Sequence, residues 1–371
     1  MPLTDSELRD RLRLIRSENV GPITFHRLLK QYGTAEAALD ALPALARRGG
    51  RGKPLRICSK AAAERELTAL HKAGVTVLAH GEPPYPRALA AVEDSPPVLF
   101  ARGHVGLLER PAVAIVGARN ASLNGRKLAH RLAQDLARAD LLVISGLARG
   151  IDTAAHQGAL AGGTAAVLAG GVDIIYPPEN EGLYEALVEQ GLVVSEMPLG
   201  EAPQARHFPR RNRIISGMAL GVVVVEAAAR SGSLITARLA GEQGREVFAV
   251  PGSPLDGRAA GPNSLLRDGA ILTETAEDVL RGLADLLHAP LAEPEAAEFR
   301  AGAAPAASEA EVDAARDRLV EALGPAPVTV DELVRGCQLS VAVVATVLLE
   351  LELAGRLERL PGGRVALLTT L

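Results

Sequence analysis

The sequence predicts an α/β protein: a doubly wound parallel sheet of the extended Rossmann-like type, with an N-terminal helical domain and a C-terminal winged-helix domain. Three observations support this fold class. Between about residues 112 and 250, short apolar runs alternate with helical patterns, which is typical of a doubly wound sheet. The run Gly221–Val225 is apolar on both faces, as buried parallel strands are. The regions before and after show mainly helical periodicity.

Residues 1–78 are predicted to form a helical domain of the SAM or helix-hairpin-helix type. Leu8, Leu12 and Ile15 recur at three- and four-residue spacing, and a helix over Ala61–Ala73 ends at Gly74. The segment between them, Val20–Gly33, looks like a turn that leads into a helix, as in small modules that hold a DNA backbone. A purely structural packing module explains the same pattern equally well.

The central domain is predicted over residues 79–285, after two proline-rich extended segments. Its strands are predicted at Ala112–Val116, Leu141–Ile144, Thr164–Leu168, Leu192–Val194, Gly221–Val225 and Glu246–Val250. Its helices are predicted at Asn124–Ala139, Asp152–Ala161, Glu179–Glu189, Pro209–Met218 and Ser233–Glu242. Ligands of such sheets bind outside the carboxyl ends of the strands, so the loops after the strands are the expected functional region.

Composition changes again after the central domain. Residues 286–311 are rich in Ala, Pro and Glu and are predicted to be a flexible acidic linker. Residues 312–371 are predicted to contain three helices and a hairpin, which is the order of a winged helix; a bare helical cap is the alternative. The third helix, Ser340–Ala354, carries Glu350 and Glu352 and no Lys or Arg, so it favours protein docking over reading a DNA groove.

Overall composition excludes several classes of protein. The formal net charge is -4, so only local clusters of basic residues can argue for nucleic acid. Aromatic residues make up 2% of the chain, which leaves one or two rings for stacking. Cys58 and Cys337 are far apart and no CxxC is present, so no metal, cofactor or disulfide framework is expected. No signal-peptide core or membrane segment is evident, and a cytoplasmic location is expected.

The loops after the predicted strands combine glycines with Ser, Asp and Arg. They are Gly117-Ala-Arg119, Ser145-Gly146-Leu-Ala-Arg149-Gly150-Ile-Asp152, Ala169-Gly-Gly-Val-Asp173, Tyr176-Pro-Pro-Glu-Asn180 and Glu226-Ala-Ala-Ala-Arg-Ser231-Gly232-Ser233. Glycine lets a backbone approach a ligand, and a capped helix start presents free N–H groups, so these loops predict an anion-binding edge. The alternative is that these glycines only allow the chain to turn and bind no ligand.

Four polar residues near this edge also have structural explanations. Asp152 and Ser233 are expected to be helix caps first and ligand contacts second. His156 is expected to be a satisfied core histidine rather than a base. Glu226, at a strand end, either serves a catalytic role in a related enzyme or pairs with Arg211.

The stretch His207–Gly217 places three arginines and one aromatic residue at the start of an apolar helix. At about 100° per residue, Arg210 and Arg213 share one side, while Arg211 lies with the apolar side chains. Arg211 must therefore sit in an unwound first turn, pair internally or reach past the core to a ligand. A solvated basic turn is the alternative, but Phe208 beside the charges favours a nucleic-acid strand, since a base can stack on its ring.

These motifs together closely resemble the DNA-processing protein A (DprA) family from about Glu82 to Val279, and the flanking domains resemble it more loosely. The matching motifs are Val113-Ala-Ile-Val-Gly-Ala-Arg119, Ser145-Gly-Leu-Ala-Arg-Gly-Ile-Asp-Thr-Ala-Ala-His156, Gly163-Thr-Ala-Ala-Val-Leu-Ala-Gly-Gly-Val-Asp173, Tyr176-Pro-Pro-Glu-Asn180, Phe208-Pro-Arg-Arg-Asn-Arg-Ile-Ile-Ser-Gly217, Arg230-Ser-Gly-Ser-Leu-Ile-Thr-Ala237, Ala249-Val-Pro-Gly-Ser253 and Gly261-Pro-Asn-Ser-Leu-Leu-Arg-Asp-Gly-Ala270.

The resemblance implies a non-catalytic protein that binds single-stranded DNA, protects incoming DNA in natural transformation and loads a RecA-type recombinase, acting as a homodimer. It implies DNA contacts at Gly117, Arg119, Gly146, Arg149, Gly150, Phe208, Arg211, Asn212, Arg213, Ser231, Gly232 and Ser233. The alternative is a nucleotide-binding Rossmann hydrolase acting on nucleoside monophosphates, with Glu226 beside the last of these loops. The glycine-rich runs of such hydrolases are absent, as are GxGxxG and a P-loop, so binding is favoured over catalysis.

Overall fold

The computed structural model describes residues 3–288, 309–360 and 362–368. Within these residues the chain divides into two compact units, one of residues 64–288 and one that combines residues 3–63 with residues 309–368. The predicted linker, residues 286–311, is described only at its two ends. The helix Ala284–His288 includes the first residues of the predicted linker, and the helix that begins at Glu309 includes its last residues.

The elements are numbered in chain order. The α-helices are α1 (Asp5–Arg16), α2 (Pro22–Tyr32), α3 (Ala35–Arg48), α4 (Lys60–Lys72), α5 (Arg87–Ala90), α6 (Leu123–Arg138), α7 (Ile151–Ala159), α8 (Glu181–Gln190), α9 (His207–Met218), α10 (Gly232–Glu242), α11 (Ala260–Arg267), α12 (Ala276–Gly282), α13 (Ala284–His288), α14 (Glu309–Ala322), α15 (Val330–Cys337) and α16 (Val341–Leu353). The strands are β1 (Thr76–Ala79), β2 (Val98–Gly103), β3 (Ala112–Val116), β4 (Leu142–Ser145), β5 (Thr164–Val167), β6 (Leu192–Ser195), β7 (Gly221–Val224), β8 (Glu246–Ala249), β9 (Ile271–Leu272), β10 (Val328–Thr329), β11 (Leu357–Leu360) and β12 (Arg364–Leu367).

The first unit contains a nine-stranded sheet in the order β1-β2-β6-β5-β4-β3-β7-β8-β9. The strands from β6 to β9 in this order pair in parallel, as predicted, whereas β2 runs antiparallel to both of its neighbours. The sheet is therefore mixed at one edge rather than wholly parallel. The domain boundary predicted at residue 78 falls inside β1, which pairs with β2.

Helices cover both faces of this sheet because its strands are apolar on both faces. Val113 and Ile115 of β3 face one core, which α6, α7 and α12 complete. Ala114 and Val116 face the other core, which contains side chains of α9 and α10. From β3 the chain steps through β4, β5 and β6 on one side, and then through β7, β8 and β9 on the other. This doubly wound order confirms the predicted fold class. In such sheets, ligands bind outside the carboxyl ends of the strands.

The second unit combines α1, α2 and α3 with α14, α15, α16 and the small sheet β10-β12-β11. The three helices and the β11–β12 hairpin confirm the predicted winged helix, and the alternative of a bare helical cap is wrong. The third helix, α16, contributes to two cores. Val344 and Leu348 pack inside the winged helix, while Leu349 and Leu353 pack with side chains of α2 and α3.

Candidate nucleic-acid interface

A pocket of about 200 Å³ lies at the carboxyl edge of the large sheet. Loops after three adjacent strands form it: Arg119 follows β3, Gly146 and Arg149 follow β4, and Gly170 follows β5. The segment from Ile174 to Glu179 and the start of α9 complete the wall. The structure thus brings together loops that the sequence had predicted to form one anion-binding edge.

Two rings and a guanidinium stand in one row at this pocket. The Arg119 guanidinium carbon lies 5.2 Å from the centre of the Phe208 ring, within the range of a cation–π contact. The Tyr176 ring lies on Phe208 too, with ring centres 5.9 Å apart and the planes tilted. Arg119 is exposed, and among the described residues it has no carboxylate within 4.0 Å. Its charge is therefore held in position by a ring rather than neutralised by an acid.

Arg211 passes beneath the pocket. Because α9 already begins at His207, Arg211 lies in the helix and points with the apolar side chains, and only 6% of it is exposed. Its Nη1 donates to the Val167 carbonyl oxygen at 2.9 Å. Burial lowers the pKa of Arg211 to about 10, while nearby Asp152 opposes that shift. Of the three predicted placements, the unwound turn is wrong, and the side chain both bonds internally and reaches past the core.

Gly146 makes the position of Arg211 possible. A Cβ atom built on Gly146 would lie 1.5 Å from Arg211 Nη1, so the guanidinium rests where any other residue would carry its side chain. Gly150 has a φ of +81°, and a Cβ there would lie 2.3 Å from the Ala118 carbonyl oxygen. Gly117 is equally tight, since a Cβ would lie 2.6 Å from Ile151 Cγ1. Gly117 and Gly150 thus bring the loops after β3 and β4 into direct contact, and Gly146 makes room for Arg211 of α9.

Asp152 organises the loop after β4 from inside. It lies in the first turn of α7 and its Oδ2 accepts from the backbone N–H groups of Gly146 (3.1 Å) and Ala148 (3.4 Å). The expected helix cap is therefore wrong: Gly150 occupies the N-cap position, and Asp152 holds the preceding loop instead. Burial raises the pKa of the Asp152 carboxyl, and the Arg211 charge acts in the opposite direction.

The rim of the pocket carries an exposed ion pair. Arg149 Nη1 lies 3.5 Å from Glu179 Oε1, and both side chains are 60% exposed. A pair this exposed contributes little to stability, because water and salt screen it. The Arg149 guanidinium is thus available to a competing anion.

Arg213 and Arg210 lie away from the pocket. Arg213 Nη2 bonds Glu196 Oε2 at 2.5 Å, Arg213 also pairs with Asp94, and Arg210 lies 3.6 Å from the same Glu196. The predicted shared side of Arg210 and Arg213 is confirmed by this common partner. Arg213 is only 6% exposed and is absent from the pocket wall, so the structure places it in a buried ion pair rather than at the predicted phosphate contact.

The loop after β7 lies at the same edge of the sheet but outside the pocket wall. Ser231 is the N-cap of α10, and its Oγ accepts from the Ser233 backbone N–H at 3.4 Å. The cap predicted at Ser233 is therefore wrong by two residues. Asn212 Nδ2 donates to the Gly232 carbonyl oxygen at 3.3 Å, which ties α9 to this loop. A Cβ on Gly232 would meet open space, so this backbone is accessible.

Glu226 has a structural role at the start of α6. Its two carboxylate oxygens accept from the Ser122 backbone N–H (2.8 Å) and hydroxyl (2.6 Å), and Ser122 in turn caps α6 through Gly125. Of the two predicted alternatives for Glu226, the pairing with Arg211 is wrong. A carboxylate that already accepts two short bonds is poorly placed to act as the nucleophile or base of the alternative hydrolase.

His156 is a core residue, as predicted, but it is only half satisfied, because its Nε2 has no hydrogen-bond partner within the described residues. It is fully buried, and its Nδ1 lies 2.7 Å from Thr164 Oγ1. The Thr164 hydroxyl donates to the Val143 carbonyl oxygen, so the Nδ1–H of His156 is the donor to Thr164. Burial lowers the pKa of His156 to about 3, which keeps the ring neutral.

The ring contact of Tyr176 was not predicted, because this residue appears in the sequence only as part of a loop motif. The available signal was its aromatic character in a chain with 4 Tyr and 5 Phe, directly before two prolines at a strand-end loop.

Among the described residues, no group of three or more His, Cys, Asp or Glu could hold a metal ion. In the same part of the chain, no helix has the length and apolar character needed to cross a membrane.

Geometry and charge together define the class: an α/β protein of the doubly wound type that presents a cationic, partly aromatic pocket at the carboxyl edge of its sheet. Family models match all three domains. DNA recombination-mediator protein A matches residues 76–284, a DprA-like N-terminal HHH domain matches residues 5–69, and a DprA winged helix domain matches residues 303–363. The chain belongs to the DNA recombination-mediator protein A family, and its role is that of a DNA-processing recombination mediator.

Individual relatives agree with this assignment. DNA processing protein DprA of Streptococcus pneumoniae is 48% identical over 53% of this chain and 70% of its own length. Protein Smf of Escherichia coli is 42% identical over 76% of this chain and 75% of its own length. The solved structure of the Streptococcus pneumoniae protein superposes with a TM-score of 0.62 at 36% identity, covering 76% of this chain and 98% of that one.

A second similar solved structure comes from a study of DNA binding. DNA processing protein A from Helicobacter pylori, studied for its single-stranded DNA binding mode, is similar with a TM-score of 0.53 and 28% identity. The match covers 58% of this chain and 97% of that chain.

Proposed function

We propose that this protein binds single-stranded DNA at the carboxyl edge of its nine-stranded sheet and acts as a binding protein rather than an enzyme. The observation that carries the proposal is the row formed by Arg119, Phe208 and Tyr176 over the buried Arg211. Cations supply phosphate attraction, and rings supply sequence-tolerant stacking, which together are the requirements for single-strand binding. The Helicobacter pylori relative, studied as a single-stranded DNA binder, supports the same ligand for this chain.

Single strands are favoured over duplex DNA by the shape of the site. The rings stand at a pocket of about 200 Å³, into which only an unstacked base can turn. Bases inside a duplex are stacked on their neighbours, and unstacking them costs a few kcal/mol, about the size of one stacking contact. We therefore expect clearly weaker binding to duplex DNA of the same length.

We infer that the protein protects incoming single strands in the cytoplasm during natural transformation, and loads a RecA-type recombinase onto them as a homodimer. Two rigidly joined sites on one strand would bind more tightly than either site alone, because the second contact is intramolecular. Membership of a family of DNA recombination mediators supports this inference.

The test is binding of a fluorescent poly-dT oligonucleotide over a salt series, followed by anisotropy. We expect the parent to bind with a steep salt dependence, and Arg119→Ala to weaken binding and flatten the salt slope by about one phosphate contact. The control is Arg138→Ala, because Arg138 is another exposed arginine, which lies in the last turn of α6, away from the pocket, and pairs with Asp135. No binding by the parent, or equal binding to duplex and single strand, would contradict the proposal.

A further inference from the structure

Glu226 holds the loop that carries Arg119 at both of its ends. At the start of the loop, the backbone carbonyl oxygen of Glu226 accepts from the Ala118 N–H at 2.6 Å. At the end of the loop, its two carboxylate oxygens accept from the N–H and the hydroxyl of Ser122, at 2.8 Å and 2.6 Å. Three residues, of which Arg119 is the first, lie between these two fixed points. A single residue after β7 therefore fixes the whole loop after β3.

Two glycines leave room for this double contact. A Cβ atom built on Gly125, in the first turn of α6, would lie 2.5 Å from Glu226 Oε1. A Cβ atom on Gly117 would lie 2.9 Å from the Glu226 carbonyl oxygen. Neither distance leaves space for a side chain. The close approach of Glu226 to both ends of the loop thus depends on glycine at both positions.

The side chain of Arg119 needs a fixed backbone beneath it. Arg119 is exposed, and its guanidinium carbon lies 5.2 Å from the centre of the Phe208 ring. An exposed cation–π contact is weak, so the ring alone holds a long side chain poorly. A side chain that is already held loses less conformational freedom when it binds a ligand. A fixed loop therefore favours a phosphate contact at Arg119.

The charge of Glu226 has the wrong sign for a phosphate-binding edge. Among the described residues, no lysine or arginine nitrogen lies within 4.0 Å of its carboxylate. A negative charge at this edge repels a DNA strand, and a carboxylate at the start of α6 occupies a place that often binds phosphate. Glu226 as a mere barrier would lower the affinity for DNA. The contact of its backbone with Ala118, at the other end of the loop, favours a supporting role instead.

We propose that Glu226 is a positioning residue for DNA binding, which holds the loop Ala118–Ser122 so that the Arg119 guanidinium is ready to contact a phosphate. Glu226 itself contacts no DNA and acts through Arg119. This inference rests on the proposed binding of single-stranded DNA and adds the residue that prepares its exposed cation.

The experiment compares two substitutions that remove the same charge. Glu226→Gln keeps an oxygen that accepts from the Ser122 N–H and gains an amide that donates to the Ser122 hydroxyl, whereas Glu226→Ala loses both contacts. Anisotropy of fluorescent poly-dT measures binding to the full-length protein over a salt series. Glu226→Ala should bind about three- to tenfold more weakly than the parent, with a salt slope flattened by up to about one phosphate contact. Glu226→Gln should bind at least as tightly as the parent.

A double-mutant cycle shows whether Glu226 acts through Arg119. In a protein that already carries Arg119→Ala, the further change Glu226→Ala should alter poly-dT affinity by less than about twofold. The reason is that the loop then has no guanidinium to position. A loss of stability alone would not produce this dependence of one substitution on the other, provided that each variant is folded at the temperature of the measurement.

Ser122→Ala tests the same contact from the other side, should Glu226→Ala fail to fold. It removes the hydroxyl that donates to Glu226 and caps α6, and it should weaken poly-dT binding in the same direction as Glu226→Ala. Thr275→Ala is the control, because Thr275 caps α12 in the same unit and does not line the pocket. The affinity of this control should equal that of the parent.

Three results would overturn the proposal: Glu226→Ala binding as tightly as the parent or more tightly, equal losses in the Ala and Gln variants, or losses that multiply in the double variant. The first would make Glu226 a barrier to phosphate. If the parent does not bind poly-dT, or Arg119→Ala leaves its affinity unchanged, the proposed function itself fails, and that outcome is visible without any Glu226 variant.

Discussion

Two regions of this protein belong to types of structure that often bind nucleic acid, and they differ in what they offer it. At the carboxyl edge of the nine-stranded sheet, Arg119 and Arg149 are exposed beside an open pocket. In the winged helix, the third helix α16 has no Lys or Arg, and it packs on α3 within its own unit. The type of fold alone therefore does not show where a nucleic acid binds. The exposed basic side chains that can contact its phosphates do.

Polar side chains of α16 and its neighbours show what this helix does within its own unit. Glu350, on α16, is fully buried, and its Oε2 accepts from Arg316 Nη2 at 2.6 Å and Nε at 3.2 Å. Arg48 of α3 lies 3.9 Å from the other carboxylate oxygen. Asn19 Nδ2 donates to the Leu353 carbonyl oxygen at 3.0 Å at the end of the helix. The helix that reads DNA in other winged helices here holds the N-terminal helices instead.

The largest expected effect concerns this buried carboxylate. Glu350→Ala leaves Arg316 without its buried partner and should lower the free energy of unfolding by about 3–5 kcal/mol. Urea unfolding measures it, with the exposed Glu358→Ala as control. Poly-dT affinity at a temperature where the variant is folded should not change. A loss of affinity in the folded variant would show that the two regions are not independent.

Gly146→Ala should produce the next largest effect, on the other side of the comparison. Its Cβ would lie 1.5 Å from Arg211 Nη1 and must displace the guanidinium from the pocket floor. We expect poly-dT affinity to fall about tenfold, comparable to losing a charge-assisted hydrogen bond. The control is Gly182→Ala, since a Cβ on Gly182 would meet nothing within 4 Å. Unchanged affinity would remove Arg211 from the interface.

Lowering the pH should reduce the free energy of unfolding through the buried His156. His156 has a pKa of about 3 in the folded protein, below its ordinary value of 6.5, so its neutral form favours folding. That contribution is complete above pH 6.5 and is lost as pH falls, at about 1.4 kcal/mol per pH unit at most. His156→Asn should flatten the loss of unfolding free energy between about pH 6 and 4, as followed by urea titrations. The exposed His130→Asn should leave the slope unchanged, and equal slopes for both would contradict the assignment.

The smallest predicted effect is a gain. Glu179→Gln removes the partner of Arg149 at the rim and one negative charge from the path of the phosphates. Poly-dT affinity should rise about two- to threefold at low salt, with a smaller gain at high salt. Glu181→Gln, at the start of α8, provides a control of the same charge change nearby. An equal gain in both variants would mean that only net charge matters.

Much of the central sheet could be predicted because its strands are short apolar runs with glycine after them. The predicted strand Ala112–Val116 is the observed β3, and Gly221–Val225 ends one residue beyond β7. The strand β2 (Val98–Gly103) was missed, since it follows two prolines and was predicted only as part of an extended segment that leads into the sheet. The two-residue strand β9 was missed because so short a segment has no periodicity.

Partners of charged residues were the harder part of the site. The helical pattern correctly separated Arg211 from Arg210 and Arg213, because spacing alone determines which side of a helix a residue occupies. The spacing of residues in the sequence cannot show that Glu196 forms an ion pair with Arg213. Nor can it show that Glu226 accepts hydrogen bonds from Ser122, which lies 104 residues earlier. Such contacts depend on tertiary packing, and they decided which predicted residues reach the pocket.

The most direct test of the central claim is amide hydrogen exchange of the full-length protein with and without a poly-dT oligonucleotide. The account predicts slower exchange in the loops after β3, β4 and β5 and at the start of α9. It predicts no change in α16, whose exchange should already be slow because it is buried. Protection of α15 or α16 with no change in the strand-end loops would contradict it and place the DNA on the winged helix.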